Sequence, residues 1–327
     1  DETIVYADSY ISVYLIGTIF VQLSLGLNMF ITSQGQAKTA MLSVLIGAVT
    51  NIILDPVFIF LFHMDVVGAA LATIISQALS AAWVLRFLTS KKSVINIRKV
   101  CLVPDFPLIR RIASLGISPF IMQFTESAIS VVFNSGLARY GGDLYVGSMT
   151  ILQSVMQLVF IPIQGFTQGI QPIISYNFGA KNFDRVRKTI KITIIVAFSF
   201  TLTECLLITQ FPEVFARIFT SEEELTALVV RVMPIFMSGI WLFGVQMGCQ
   251  TTFMGLGQAK ISLFIALLRK VILLIPLAVI LPAITGDVLS IYFAEPISDI
   301  TSATTSGILL LIFHKRILSE EAWEKIQ

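Results

Sequence analysis

The sequence predicts an all-α integral membrane protein: about nine transmembrane helices belonging to a roughly twelve-helix, two-lobed, parallel-repeat architecture whose first three or so helices precede residue 1. Three observations carry this. Of the 327 residues, 56% are hydrophobic and only 13% charged, against roughly 25% charged in an ordinary soluble domain, and the mean hydropathy is +0.87. The apolar residues gather in runs of about 20, the length of helix that crosses about 30 Å of hydrocarbon. A tetrapeptide and two glycines recur at one fixed offset along the chain.

The runs lie at Tyr10–Ile31, Ala40–Phe62, Val66–Leu88, Leu108–Ala138, Leu144–Ser175, Thr189–Gln210, Leu225–Phe253, Ile261–Ile284 and Val288–Phe313, and the short connections hold nearly all of the charge. Short cytoplasmic loops collect Lys and Arg. Arg86, Lys91, Lys92, Arg98, Lys99, Arg110 and Arg111 separate the third and fourth runs, and Lys181, Arg185, Arg187, Lys188 and Lys191 separate the fifth and sixth. Both loops are expected inside, two helices apart. The intervening connections agree, one holding Arg139 alone and the other Glu213, Glu222, Glu223 and Glu224. Lys38, Lys260 and His314-Lys315-Arg316 then also fall inside, and residue 1 outside.

Gly35-Gln36-Ala37-Lys38 returns 222 residues later as Gly257-Gln258-Ala259-Lys260, and at the same offset Gly17 meets Gly239 and Gly26 meets Gly248. The offset carries the first run onto the seventh across an even number of helices, so the copies keep one orientation, a parallel repeat of the kind built into several transporter classes. Runs one to three pair with seven to nine, which leaves four to six without partners. The expected division is 1–100, the last three helices of a first lobe with a cytoplasmic linker, and 101–327, a six-helix second lobe.

Composition excludes other classes. The net charge of +2 is spread over short clusters, so the electrostatic footprint of a nucleic-acid binder is missing. Cys101, Cys205 and Cys249 lie far apart, and the histidines are His63 and His314; neither a disulfide framework nor a metal site is signalled. The first ten residues, DETIVYADSY, lack the basic start of a signal peptide.

Thr32–Lys38 (TSQGQAK) leading into Asn51–Asp55 (NIILD), then Val67–Thr73 (VGAALAT), Tyr140–Asp143 (YGGD) and Gln164–Ala180 (QGFTQGIQPIISYNFGA) carry a specific resemblance. Over its whole length the sequence resembles the multidrug and toxic compound extrusion (MATE) family. The resemblance implies two six-helix lobes facing a central cavity, alternating access, and export of organic, often cationic, drugs against inflow of Na⁺ or H⁺. It implies no cofactor beyond that coupling ion. Small organic substrates and the lipid bilayer are the expected partners, with no nucleic acid, and a monomer in a cytoplasmic (inner or plasma) membrane is the expected form.

Ionisable residues inside a membrane are costly and mark function by default. Glu126 lies midway along the fourth run with no basic residue at helical spacing. Apolar surroundings favour the neutral form of a carboxyl, which suits Glu126 to exchanging a proton or Na⁺. The resemblance agrees, because some members keep a glutamate in the equivalent helix as part of their cation site. The bland alternative is a carboxyl satisfied by neighbouring hydroxyls and amides. Members that couple through this lobe often add an aspartate in the tenth helix, whereas Gly239–Met254 has no carboxylate; members that couple through the first lobe use a helix ahead of residue 1. Asp55, before Pro56, reads as structural at a bend. Arg269 and Lys270 in the eighth run read as charge partners of Glu295 and Asp299 in the ninth.

Gln153, Met156, Gln157 and Phe160 follow i, i+3, i+4, i+7 spacing and share a helix face. With Met122, Gln123 and Met149 they form the expected substrate cavity, since flexible thioethers beside amides and an aromatic repack around varied molecules. Interhelical packing is the alternative for each residue singly. Pro162, Gly165, Gly169 and Pro172 in the fifth run are the expected hinge, proline removing a helical hydrogen bond and glycine relaxing the backbone.

Three rivals are weighed. A lipid-linked oligosaccharide flippase of the same superfamily would need a cationic cavity for pyrophosphate, and the fourth and fifth runs carry no internal Arg or Lys. An intramembrane enzyme would show H-E-x-x-H, G-x-S-x-G or paired catalytic aspartates, and none occurs. A channel would repeat pore residues, and only glycines and loop residues recur at the 222 offset.

Overall fold

Every described element is helical, as apolar segments require where water cannot satisfy backbone N–H and C=O groups. The computed structural model describes residues 2–95, 97 and 104–317, and within these the side chains of residues 2–5, 111, 112, 114–119, 121–123, 259 and 314–317 lie outside the description. Of the expected features, Arg98, Lys99 and Cys101 therefore lie outside the described residues, as do the side chains of Arg111, His314, Lys315 and Arg316.

The chain divides into two compact units, Asp1–Ile109 and Arg110–Gln327. In the first, α1 (Glu2–Ser33) and α2 (Ala37–Pro56) both pack on α3 (Asp65–Leu88). Pro56 has no N–H to donate, and the helix beyond it widens into a π-helical turn, Val57–Leu61. Asp55 serves this bend, accepting from Asn51 Nδ2 at 3.1 Å. The interior is small and mixed: Ile31, Ala40, Val84 and Leu88 form an apolar knot, while Ser24 donates to Gln77 (2.8 Å), Asn28 to Ser43 Oγ (2.8 Å), and Ser80 to the Ser43 carbonyl (2.7 Å).

The second unit contains α4 (Phe106–Gly141), α5 (Asp143–Gly179), α6 (Phe183–Gln210), α7 (Pro212–Phe219), α8 (Glu223–Phe236), α9 (Ile240–Gly255), α10 (Ala259–Leu267), α11 (Ile275–Thr285) and α12 (Ala294–Ile317). Three predicted runs are interrupted. The seventh passes from α8 to α9 through a 3₁₀ turn, Met237–Gly239, just after Pro234. The eighth carries a π-helical stretch, Leu268–Leu274, between α10 and α11. The ninth opens as a 3₁₀ turn, Val288–Phe293, capped by Asp287, which accepts from Leu289 N at 2.9 Å. The short α7 has no counterpart among the predicted runs. Arg217 holds it, donating to Glu213 (2.9 Å) and Glu223 (3.2 Å). Phe133, Leu137, Met149, Leu152, Phe236 and Tyr292 lead the main core.

Among the described residues, eight helical stretches are long and apolar enough to cross a membrane. Large apolar side chains such as Ile16, Ile52, Phe60, Ile161 and Leu311 point outward, a surface that a soluble monomer seldom exposes and a bilayer accepts.

The repeat is visible in the backbone. Gly35 and Gly257 adopt φ of +77° and +74°, a conformation that favours glycine because a Cβ crowds the backbone there. Gly17 lies against Ile74 and Gly239 against Pro296, and those partners are themselves 222 residues apart. Gly248 lies near Ile194, while a Cβ on Gly26 would meet nothing within 4 Å. Three of the four helical glycines thus admit a close neighbour, and Gly26 does not.

Candidate functional site

In the second unit, one cavity of about 450 Å³ gathers the ionisable residues of three helical segments. Helix α4 supplies Glu126, Ile129, Ser130 and Phe133; α5 supplies Gln153, Met156, Gln157, Phe160 and Gln164. The π-helical stretch supplies Arg269, Lys270 and Leu274, α12 supplies Glu295, and Phe236 of α8 completes the wall. The wider turn presents two adjacent basic residues to the same space, and π-helical stretches of this kind recur at functional sites.

The two bases are held differently. Arg269 donates from Nη2 to Glu295 Oε1 at 2.8 Å and from Nε to Asp299 Oδ1 at 2.6 Å, with these side chains 4%, 7% and 0% exposed. Its guanidinium also lies 4.8 Å from the ring centroid of Phe243, which packs against Phe160 at 4.7 Å. Ser298 donates to the Arg269 carbonyl at 2.5 Å. The sequence-based pairing between the eighth and ninth runs is therefore present for Arg269 but not for Lys270, and Asp299 Oδ2 is left buried without a hydrogen-bond partner. Lys270 makes an ion pair with Glu126, whose side chain is 50% exposed. Helical spacing within α4 gave no sign of this partner, because it comes from a segment 144 residues further on.

Glu126, Gln153, Met156, Gln157 and Phe160 thus come together on one cavity. Met149 does not join them: it is fully buried in the main core. The i, i+4 face that contains Gln153 continues to Met149, but that position is packed into the core and not open to the cavity. The side chains of Met122 and Gln123 lie outside the described residues. Sequence reasoning missed Arg269 and Lys270 as cavity residues, and the statement that the fourth and fifth runs carry no base described only part of the wall. Adjacent bases in an apolar run were the available signal. Pro162, Gly165, Gly169 and Pro172 lie within α5, which is helical throughout; a Cβ on either glycine would meet nothing within 4 Å. Packing therefore does not require these glycines.

The repeat invites comparison with a cavity of the first unit. In the first unit a cavity of about 200 Å³ is lined by Ser24, Asn28, Ser43, Gly47, Ala48, Asn51, Thr73, Ser76, Gln77 and Ser80, with Leu25 and Val44. At the 222 offset Gly47 and Ala48 stand in the places of Arg269 and Lys270, and Thr73 and Gln77 in those of Glu295 and Asp299. Ser76 and Ser80 correspond to Ser298 and Ser302. A wider hollow of about 740 Å³ at Trp83, Arg86 and Lys92 has no carboxylate in its lining.

Long apolar helices, an outward apolar surface and charge held mostly in the short connections define a multi-pass membrane protein. Comparison with known proteins adds a family likeness. The MatE family model matches residues 119–280. "Multidrug export protein MepA" of Staphylococcus haemolyticus (strain JCSC1435) is 27% identical over 299 residues, 90% of this chain and 66% of that protein. MepA of Staphylococcus aureus (strain MSSA476) is 27% identical over 298 residues, 90% of this chain and 65% of its own length. The chain thus spans just under two-thirds of these relatives. Among solved structures, a MATE in the bent conformation matches with a TM-score of 0.88 at 22% identity, covering 97% of this chain and 70% of the other. The outward-facing conformation of a multidrug resistance MATE family transporter of the MOP superfamily matches at 0.86 and 22% identity, covering 94% and 69%. The chain is therefore similar to MATE proteins in fold and along most of its length.

Proposed function

We propose that this chain is the greater part of a cation-coupled antiporter that exports organic, often cationic, compounds by alternating access, with Na⁺ or H⁺ as the coupling ion and Glu126 as the residue that responds to it. The observation that carries the reading is the second-unit cavity, where a half-exposed carboxylate stands among amides, a thioether and aromatic rings. Such a lining accepts an amphipathic cation: the rings and Met156 cover its apolar body, Gln153 and Gln157 adapt to its polar groups, and Glu126 takes its charge. The printed names of the relatives, multidrug export proteins, point the same way. The transporter would sit in the cytoplasmic membrane with its Lys- and Arg-rich ends inside.

The flippase reading is weaker on charge. Arg269 and Lys270 do reach the cavity, which removes the argument that its walls lack bases. Glu126 and Glu295 line it as well, and the buried Asp299 holds Arg269, so three carboxylates stand against two bases. A pyrophosphate would meet a site without surplus positive charge.

The test is transport by the full-length protein in proteoliposomes. Efflux of ethidium under an imposed Na⁺ or proton gradient, lost in Glu126→Gln, is the expected result. Efflux that survives the substitution would move coupling elsewhere; ethidium that never moves under any gradient would favour the flippase.

A further inference from the structure

Adjacent residues on one π-helical stretch differ in how freely their charges can move. Arg269 is committed: two buried carboxylates hold two of its nitrogens, Phe243 covers its face, and the side chain is 4% exposed. Withdrawing it would leave Glu295 and Asp299 as buried charges without a partner. Lys270, 13% exposed, makes among the described residues one ion pair, across the cavity to Glu126 on α4, whose side chain is half exposed. An ammonium on a flexible four-carbon stem is a compact charge with rotatable donors, and it can leave and return without a fixed geometry.

We propose that Lys270 is a tethered competitor for Glu126: its ammonium occupies the carboxylate while the cavity is empty, is displaced by the charged group of an incoming organic cation, and returns when that cation leaves. This rests on the reading of Glu126 given above and adds the device that resets it. A carboxylate without a partner within a membrane-spanning segment is costly, and Lys270 supplies the missing charge in the unloaded state. Once displaced, Lys270 has Glu295 on the same cavity wall. With three carboxylates and two bases, the cluster keeps one negative charge for a single monovalent cation. The first unit has no such device, because Ala48 stands at the equivalent place.

A competitor lowers the affinity of what it competes with, so its removal must tighten binding. The probe is tetraphenylphosphonium, a permanent cation, titrated calorimetrically into purified full-length protein at fixed pH and salt. Lys270→Gln is expected to tighten binding about tenfold, whereas Lys270→Arg, which keeps a tethered cation, stays near the starting affinity. Glu126→Gln weakens binding, and adding Lys270→Gln to it produces no further tightening. Lys270→Met, which retains the stem and drops the charge, is the second variant should Lys270→Gln fail to fold. If both neutral variants bind no tighter while Glu126→Gln still weakens binding, the competitor is overturned and the role of Glu126 stands. If Glu126→Gln binds the probe as well as the unsubstituted protein, the reading of Glu126 fails and the competitor with it.

Discussion

The cavity of the first unit and the cavity of the second share three repeat positions, Gly47 with Arg269, Ala48 with Lys270 and Thr73 with Glu295, yet the first is lined by hydroxyls, amides and small residues and the second carries carboxylates and bases. The shared features are those that set backbone paths. Gly35 and Gly257 turn the chain at positive φ, Gly17 and Gly239 admit the facing helix, and Ser76 and Ser298 hold matching positions. The differing features are the charges: Gly47, Ala48, Thr73 and Gln77 against Arg269, Lys270, Glu295 and Asp299. One frame thus carries two interiors, which is why a function has to be argued from the site and not from the fold.

The largest expected effect breaks the comparison at its fixed charge. Arg269→Met leaves Glu295 and Asp299 buried and uncompensated, at a cost of about 3–5 kcal/mol. Its melting temperature in detergent should fall sharply, and neutralising the partners in the same chain with Glu295→Gln and Asp299→Asn should restore most of it. A melting temperature unchanged by Arg269→Met would mean that the cluster is not a buried ion network.

A smaller effect separates the two close glycines. A Cβ at Gly239 would meet the backbone of Pro296, 2.6 Å away at its Cα, whereas at Gly17 it would meet the side chain of Ile74. Overpacking costs about 1–3 kcal/mol where the neighbour cannot yield. Gly239→Ala should therefore destabilise more than Gly17→Ala, and chemical denaturation of both variants checks the order. Equal losses would mean that the two frames are packed alike at this point.

The smallest effect has the opposite sign in stability. Gly165→Ala and Gly169→Ala meet no neighbour, and alanine is favoured over glycine in a helix by about 1 kcal/mol. If α5 bends during transport, these variants should keep or raise the melting temperature while slowing ethidium efflux several-fold. Unchanged efflux would remove the hinge role from both positions.

The apolar runs and the repeat were legible because each is a local or periodic signal: nine runs preceded the helices, and a tetrapeptide with two glycines disclosed the offset. The shared face of Gln153, Met156, Gln157 and Phe160 was legible for the same reason. Met149 was misjudged because periodicity gives the direction of a side chain and not what covers each end of a long helix. The interruptions near Pro234 and at Leu268–Leu274 and the short α7 escaped notice because hydropathy averages over them. Lys270 opposite Glu126 left no trace, since contacts between distant helices have no spacing to read.

The most direct test of the account measures ion and drug movement together in proteoliposomes, with one variant in each cavity: Glu126→Gln in the second and Asn28→Leu in the first. Addition of ethidium on the export side should drive proton or Na⁺ movement in the unsubstituted protein and in Asn28→Leu, and no such movement in Glu126→Gln. Exchange retained in Glu126→Gln and lost in Asn28→Leu would contradict the account and place coupling in the neutral cavity.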